Sequence, residues 1–412
     1  MERTILHADI NNCYASIECL HRPEIRDKPV VVGGDEEARH GIVLAKNYIA
    51  KKYEIKTGET LWQARQKCPK LVVVPPNYPL YLRYSRLTRA IYQDYSCRVE
   101  PFGLDEAWID VTGSVEQHGS GPEIAENLRN RVREELGVTI SVGVSWNKIF
   151  AKLGSDMRKP DAVTVITRDN FKDKVWPLPV GDLLYVGPAT QRKLRDRCIY
   201  TIGDLAQTSE DKLVGRFGKM GAVLRVFANG WDASPVSEFN YESPIKSIGN
   251  STTTPRDLLT EEDVKIIIFV LSESVAARLR EQGMRCRTVA IHVRDNQLNW
   301  YQKQCKISNP TDLAREIAAK AMELFKASYR WMNPIRSIGV RGTDLVSNDN
   351  LQLMLFEDEN RREEQKQLEQ TVDTLRRRFG AYAVQRGVML TDPMLSGFNP
   401  KDDHVIHPLG YF

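Results

Sequence analysis

Several things are scarce in this chain, and each scarcity closes off a class of protein. No apolar run among its 412 residues reaches the roughly 20 that a membrane-crossing helix needs, so no membrane is expected as a partner. The opening Met-Glu-Arg-Thr lacks the basic-then-apolar pattern of a secretory leader. Cysteine is sparse: seven, an odd number, run from Cys13 to Cys305 with no Cys-x-x-Cys, which reads as reduced thiols in a cytosol. Histidine is sparse too, and the closing pair His404-Val-Ile-His407 offers too few ligands for zinc. A surplus of one charge sign is also missing. The net charge of +4 cannot name a nucleic-acid partner, so local clusters have to. The length exceeds what one hydrophobic core organises, and two to four domains are expected.

What is present centres on Glu100-Pro-Phe-Gly-Leu-Asp-Glu-Ala-Trp-Ile-Asp-Val-Thr112. Asp105 and Glu106 sit in an otherwise apolar run, just after Pro101 and Gly103 mark a turn between two short strands. Carboxylates among large apolar groups are costly unless neutralised, and a divalent cation is a common neutraliser. The alternative is two exposed acids at a hairpin tip. Successive strand residues point to opposite faces, so both acids share one site only if the turn bends the backbone there. A third acid lies upstream. Thr4 to Ile10 reads as a short buried strand with Asp9 near its end, followed by a helix over Ala15–Leu20. Asp9, Asp105 and Glu106 together would suit two hard cations with oxygen ligands, as Mg²⁺ prefers. Two such ions roughly 3.5–4 Å apart suit in-line phosphoryl transfer.

Three stretches then carry a resemblance: Asp9 to Glu18, Gly103 to Asp110, and Ser141-Val-Gly-Val-Ser-Trp-Asn-Lys-Ile-Phe-Ala-Lys-Leu-Gly-Ser-Asp-Met-Arg-Lys-Pro160. In this order they resemble the Y-family DNA polymerases over roughly residues 1–345, and three motifs in register are far more specific than one. The resemblance implies an α+β multidomain, right-hand polymerase with these parts: palm (1–10 and 77–165), fingers (11–76), a helical thumb (166–230) and a linker (231–243). A βαββαβ little finger (244–345) and an extension (346–412) complete it. It implies template-directed addition of deoxynucleotides to a primer 3′ end in low-fidelity translesion synthesis, with two Mg²⁺ ions. Asp9, Asp105 and Glu106 would be the catalytic metal ligands, and Ile10 would lend only its backbone carbonyl. Tyr14 would be the steric gate that a ribose 2′-hydroxyl strikes. Tyr48, Lys51 and Lys159 would hold the triphosphate. Lys51 stands where the family has arginine, keeping the charge and losing the bidentate fork. Lys148 and Lys152, four apart on one helical face, read equally as a solvated edge. Gly103 replaces a common serine and Trp108 a common tyrosine.

Leu183 to Leu194 followed by Thr201 to Ala206 resembles a helix-hairpin-helix, in which Gly187 and Lys193 would meet a DNA phosphate without reading bases. Thr260 caps a helix whose apolar face is Val264, Ile267, Ile268, Leu271, Val275 and Leu279. Residues 278–306 hold Arg278, Arg280, Arg285, Arg287, Arg294, Lys303 and Lys306 against only Glu281 and Asp295. A sheet face bearing that stripe, Arg285, Arg287, Arg294 and Lys303 above all, would track a duplex backbone. Gln352 to Phe356 resembles a sliding-clamp-binding peptide, Leu355 and Phe356 being apolar anchors and Gln352 a hydrogen-bonding group. In polymerases of this type the peptide usually ends the chain, whereas here the sequence runs on to Phe412. Glu364 to Phe379 reads as a charged helix with a thin apolar stripe, to pack on the body or on a partner. The expected partners are primer-template DNA, deoxynucleoside triphosphates and the clamp, for a monomer in a bacterial cytosol at the nucleoid. Two other classes share some of these features. A palm-type nucleotidyl cyclase would carry paired acids without needing a duplex, and a catalytically silent DNA-binding accessory would need no acids at all.

Overall fold

The computed structural model of the chain describes residues 2–34, 41–241, 244–348 and 359–401. Gln352, Leu355, Phe356, His404 and His407 lie outside the described residues. The chain divides into two compact units, whose described parts are residues 2–34 with 42–241, and residue 41 with 244–348 and 359–401.

The first unit opens with β1 (Ile5–Ile10), α1 (Cys13–His21), β2 (Val30–Gly33) and β3 (Val43–Lys46). Next come α2 (Tyr48–Lys51), α3 (Leu61–Lys67), β4 (Val72–Val74), α4 (Tyr78–Gln93), β5 (Val99–Phe102) and β6 (Glu106–Asp110). The short α5 (Val115–His118), then α6 (Gly121–Leu136), β7 (Ile140–Ser145), α7 (Lys148–Met157) and β8 (Val163–Val165) complete the mixed part. Its main sheet has the order β5-β6-β1-β7-β8, with β1 antiparallel to both neighbours. The period of two along β1 sends Leu6, Ala8 and Ile10 into a core with Ile124, Leu128 and Val132 of α6 and Tyr81 and Ile91 of α4. Ile5, His7 and Asp9 therefore face the other way, toward α7. A three-stranded sheet, β3-β2-β4, packs on α3 through Val31, Val43, Leu61 and Ala64. Asn47 fixes the start of α2: its Oδ1 accepts from the N–H of Ala50 at 2.9 Å, and its Nδ2 donates to the carbonyl of Lys28 at 2.8 Å.

The helical remainder is α8 (Phe171–Val175), α9 (Pro188–Arg195), α10 (Ile202–Gln207), α11 (Glu210–Phe217) and α12 (Lys219–Ala228), packed around Val175, Leu194, Ile202, Leu205 and Leu224. α11 and α12 are separate helices rather than one, because Gly218 between them takes φ +59°.

In the second unit the order is β9 (Ser247–Leu258), α13 (Glu261–Glu281), β10 (Met284–Asp295), β11 (Trp300–Thr311), α14 (Ala314–Ser328) and β12 (Ile335–Ser347), which is the expected βαββαβ. The sheet runs β11-β10-β12-β9. The Thr260 cap is a reciprocal capping box with Asp263, and all six residues of the expected apolar face are fully buried. After it α15 (Glu359–Phe379) and α16 (Pro393–Ser396) pack on the same unit. Arg280 of α13 is enclosed between Glu369 at 2.6 Å and Asp373 at 2.8 Å, while Arg376 pairs with Glu273 at 2.7 Å. The charged helix thus packs on the body of its own unit.

Candidate active site

Asp9 stands directly opposite Glu106 in the β1–β6 register, and His7 opposite Trp108, so these four side chains share the face that α7 covers. Asp105 belongs to the turn that Gly103 opens at φ +82°, and its carbonyl accepts from the N–H of Ile10 at 2.9 Å. Because the turn, not the strand, carries Asp105, strand alternation does not hold it away from its neighbour. Asp9, Ile10, Tyr14, Asp105, Glu106 and Lys159 line one cleft of about 330 Å³.

A glycine brings α7 onto the acids. A Cβ at Gly143 of β7 would lie 1.9 Å from the carbonyl oxygen of Ala151 and 2.5 Å from the nitrogen of Ser155, so only glycine lets α7 approach so closely. Lys152 consequently reaches across the acids. Its Nζ lies 2.8 Å from Glu106 Oε2, 3.5 Å from Asp9 Oδ2 and 3.1 Å from Asp156 Oδ2. Lys159 Nζ lies 2.7 Å from Asp9 Oδ2 and 2.8 Å from Asp156 Oδ1. The reading of Lys148 and Lys152 as a solvated edge is corrected: both are nearly buried, and Lys148 pairs with Glu100 at 2.6 Å over the Trp108 ring. The strand–helix packing that hides them is not a local property of the helix.

Charge governs this cluster. Burial pushes the Asp105 carboxyl up to about 6, with Asp9 and Glu106 adding their repulsion. Asp9 is raised by burial and by Glu106. Burial works against the Lys152 ammonium, yet Glu106, Asp156 and Asp9 outweigh it and hold the lysine charged. Lys159 is held the same way by Asp9 and Asp156. Burial, and next Lys152, keeps His7 neutral. Among the described residues no group of three or more His, Cys, Asp or Glu side chains is gathered closely enough to hold an ion as it stands. Asp9 and Glu106 both pair with the Lys152 ammonium, and Asp9 also pairs with that of Lys159.

Tyr14 packs flat on Tyr81, ring centroids 4.3 Å apart, with Tyr78 edge-on at 6.1 Å. Tyr81 is pinned in turn by donating to the buried Glu18 at 2.6 Å. Tyr48 is raised by burial, with Lys159 and Asp9 close enough to influence it in opposite senses. Lys51 is exposed, its Nζ 5.7 Å from the Tyr48 ring. Sequence reasoning missed Lys46, whose Nζ donates to Thr57 Oγ1 at 3.2 Å in the same cleft. It also missed His7, which the period of two from Asp9 could have revealed.

Residues 8–156 match the impB/mucB/samB family, and residues 245–355 match the C-terminal domain of that family. The chain is 54% identical over 393 residues to a DNA polymerase IV of Acetivibrio thermocellus, covering 95% of this chain and 98% of the relative. It is 39% identical to a DNA polymerase IV of Moorella thermoacetica, covering 94% and 96%. The chain belongs to the Y-family of DNA polymerases. A solved Y-family DNA polymerase chimera shares its fold at a TM-score of 0.73 and 24% identity, covering 84% of this chain and 100% of that one. This Y-family polymerase is a DNA-directed enzyme of translesion synthesis that uses DNA and nucleotides and depends on divalent cations, as its family does. The cyclase and silent-accessory alternatives fall with that membership.

In the polymerase's second unit, register sorts the basic stripe. Val289, Ile291 and Val293 of β10 face the helices, so Thr288, Ala290, His292 and Arg294 face outward. Lys306 pairs with Thr288 and Arg341 with Ala290, which places both on the outward face with Arg294. Lys303 pairs with Ile291 and belongs to the helix side of the edge strand, a correction to the expected stripe. Arg285 is buried, its Nε donating to Asn348 at 3.0 Å, and it too leaves the stripe. Arg278 and Arg280 belong to α13. Arg287 is exposed beside an irregularity in register. Gly187 caps α9 with open space around it, and Lys193 on that helix is exposed.

Proposed function

We propose that Asp9, Asp105 and Glu106, with the Ile10 carbonyl, would hold two Mg²⁺ ions in an enzyme that joins a primer 3′-oxygen to the α-phosphorus of a deoxynucleoside triphosphate and releases pyrophosphate. The observation that carries this reading is the single ammonium of Lys152 touching both Asp9 and Glu106, acids separated by nearly a hundred residues yet placed opposite each other by register. The donors are all oxygen, as hard cations require, and Asp9 and Glu106 lie close enough to share one ammonium, so the residues fit such ions. When bound, the ions supply Lewis acidity at the transferring phosphoryl group. Lys159, Tyr48 and Lys51 position the phosphates, and Tyr14 excludes the ribose 2′-hydroxyl. Residues 1–10 and 77–165 act as palm, 11–76 as fingers, 166–230 as thumb and 244–345 as little finger. Arg294, Lys306, Arg341 and Arg287 bind the duplex backbone, with Gly187 and Lys193 at a thumb phosphate. Gln352, Leu355 and Phe356 dock on a sliding clamp, and the enzyme works as a monomer in the cytosol. The test is primer extension with Mg²⁺ on plain and damaged templates. Asp105→Asn abolishes extension while duplex affinity stays within about twofold; equal extension by the variant and the parent overturns the assignment.

A further inference from the structure

The mechanism above leaves His7 unused. It is fully buried, two residues before Asp9 on the same face of β1, with the Trp108 indole edge-on at 5.2 Å. Its Nδ1 lies 2.8 Å from Ser155 Oγ and its Nε2 lies 3.3 Å from Glu106 Oε2. Both Nε2 and Oε2 are buried, and Nε2 has no other hydrogen-bond partner among the described residues. Lys152 is the other neighbour of Oε2, but its ammonium is shared with Asp9 and Asp156 at the end of a flexible stem. His7 is held by a central strand, an indole and a helix serine, so its ring nitrogen is the fixed point beside the glutamate.

A neutral imidazole has one N–H, and Ser155 decides which nitrogen carries it. The Ser155 hydroxyl has two acceptors within reach, the Lys152 carbonyl at 2.8 Å and His7 Nδ1 at 2.8 Å. With the hydroxyl on the carbonyl, Nδ1 donates to Ser155 and Nε2 presents a lone pair to the carboxylate, which repels it. With the hydroxyl donating to Nδ1, the ring hydrogen lies on Nε2 and Glu106 Oε2 accepts it. We propose that His7 is a positioning residue for Glu106, its Nε2–H holding Oε2 and its tautomer set by Ser155, so that the carboxylate keeps one orientation toward the cations. This rests on the reading of Glu106 as a cation ligand.

The test uses the full chain and Mn²⁺ alone as probe, followed by electron paramagnetic resonance, beside steady-state extension. His7→Leu, which keeps apolar volume without a donor, weakens Mn²⁺ binding and lowers kcat, each about tenfold, with KM for the nucleotide within twofold. His7→Gln, whose amide places a donor near Nε2, recovers most of both, and Ser155→Ala loses a smaller part than His7→Leu. Wild-type Mn²⁺ affinity in His7→Leu overturns the proposal. So do equal losses in His7→Leu and His7→Gln tracking an equal fall in melting temperature, which mark a purely structural role. Glu106→Gln is the control: if it binds Mn²⁺ and extends primers like the parent, the ligand reading fails first and takes this one with it.

Discussion

At the scale of the residue, function here is set against stability. Asp105 titrates near 6 in the folded chain, above the ordinary carboxylate value. The unfolded chain therefore releases this proton first. As pH rises between about 4 and 6 the metal-free fold loses up to about 3 kcal/mol at this group, and the loss persists above that window. Asp105→Asn removes the penalty, so its metal-free melting temperature exceeds the parent's at pH 7 and the difference narrows toward pH 4.5; differential scanning calorimetry across that range checks it. In the proposed gate role, the Tyr14 ring is braced on Tyr81 against a ribose 2′-hydroxyl. Tyr14→Ala raises the ratio of ribonucleotide to deoxynucleotide insertion by at least about tenfold in single-nucleotide kinetics. Lys51 is exposed and holds its charge without a fork, so Lys51→Arg lowers the KM for deoxynucleotide about threefold with kcat little changed.

At the scale of the element, α7 over β7 is the contact that creates the site. Every oxygen-to-ammonium distance at Lys152 depends on the helix lying flat against Gly143, where a methyl group would meet backbone atoms that cannot rotate away. Gly143→Ala lifts the helix, costs about 1–3 kcal/mol of stability, and reduces extension more than its stability loss explains; melting temperature and kcat measured at 25 °C on the same sample separate the two effects. The same logic explains which elements were legible beforehand. The Thr260 cap and its helix were read correctly, because capping and a period of 3.6 are local signals. The three-residue strands β4 and β8 were not read, since each is defined by pairing with β2 and β7 rather than by its own residues.

At the scale of the whole molecule, the three acids and the outward basic face fall in separate units, so under the proposed roles each can be weakened without the other. The outward sheet face carries Arg294, Lys306 and Arg341, and His292 there is depressed first by burial and then by Arg294 and Arg341, a sign of how positive that surface is. Neutralising Arg294, Lys306 and Arg341 together reduces the slope of log affinity against log salt by about 3, while kcat at saturating primer-template holds within about twofold. A fluorescence-anisotropy salt series with matched extension assays checks both halves.

The sequence by itself determined the candidate acids and the βαββαβ order of the second unit, because motif spacing, capping and hydrophobic period are written in neighbouring residues. Tertiary structure alone decided that Asp105 escapes strand alternation in a turn, that Lys152 lies among the acids and not in solvent, and that Arg285 and Lys303 leave the outward face. These depend on which strand pairs with which and in what register. A one-residue difference in pairing turns a side chain to the opposite face, and no local pattern records that choice.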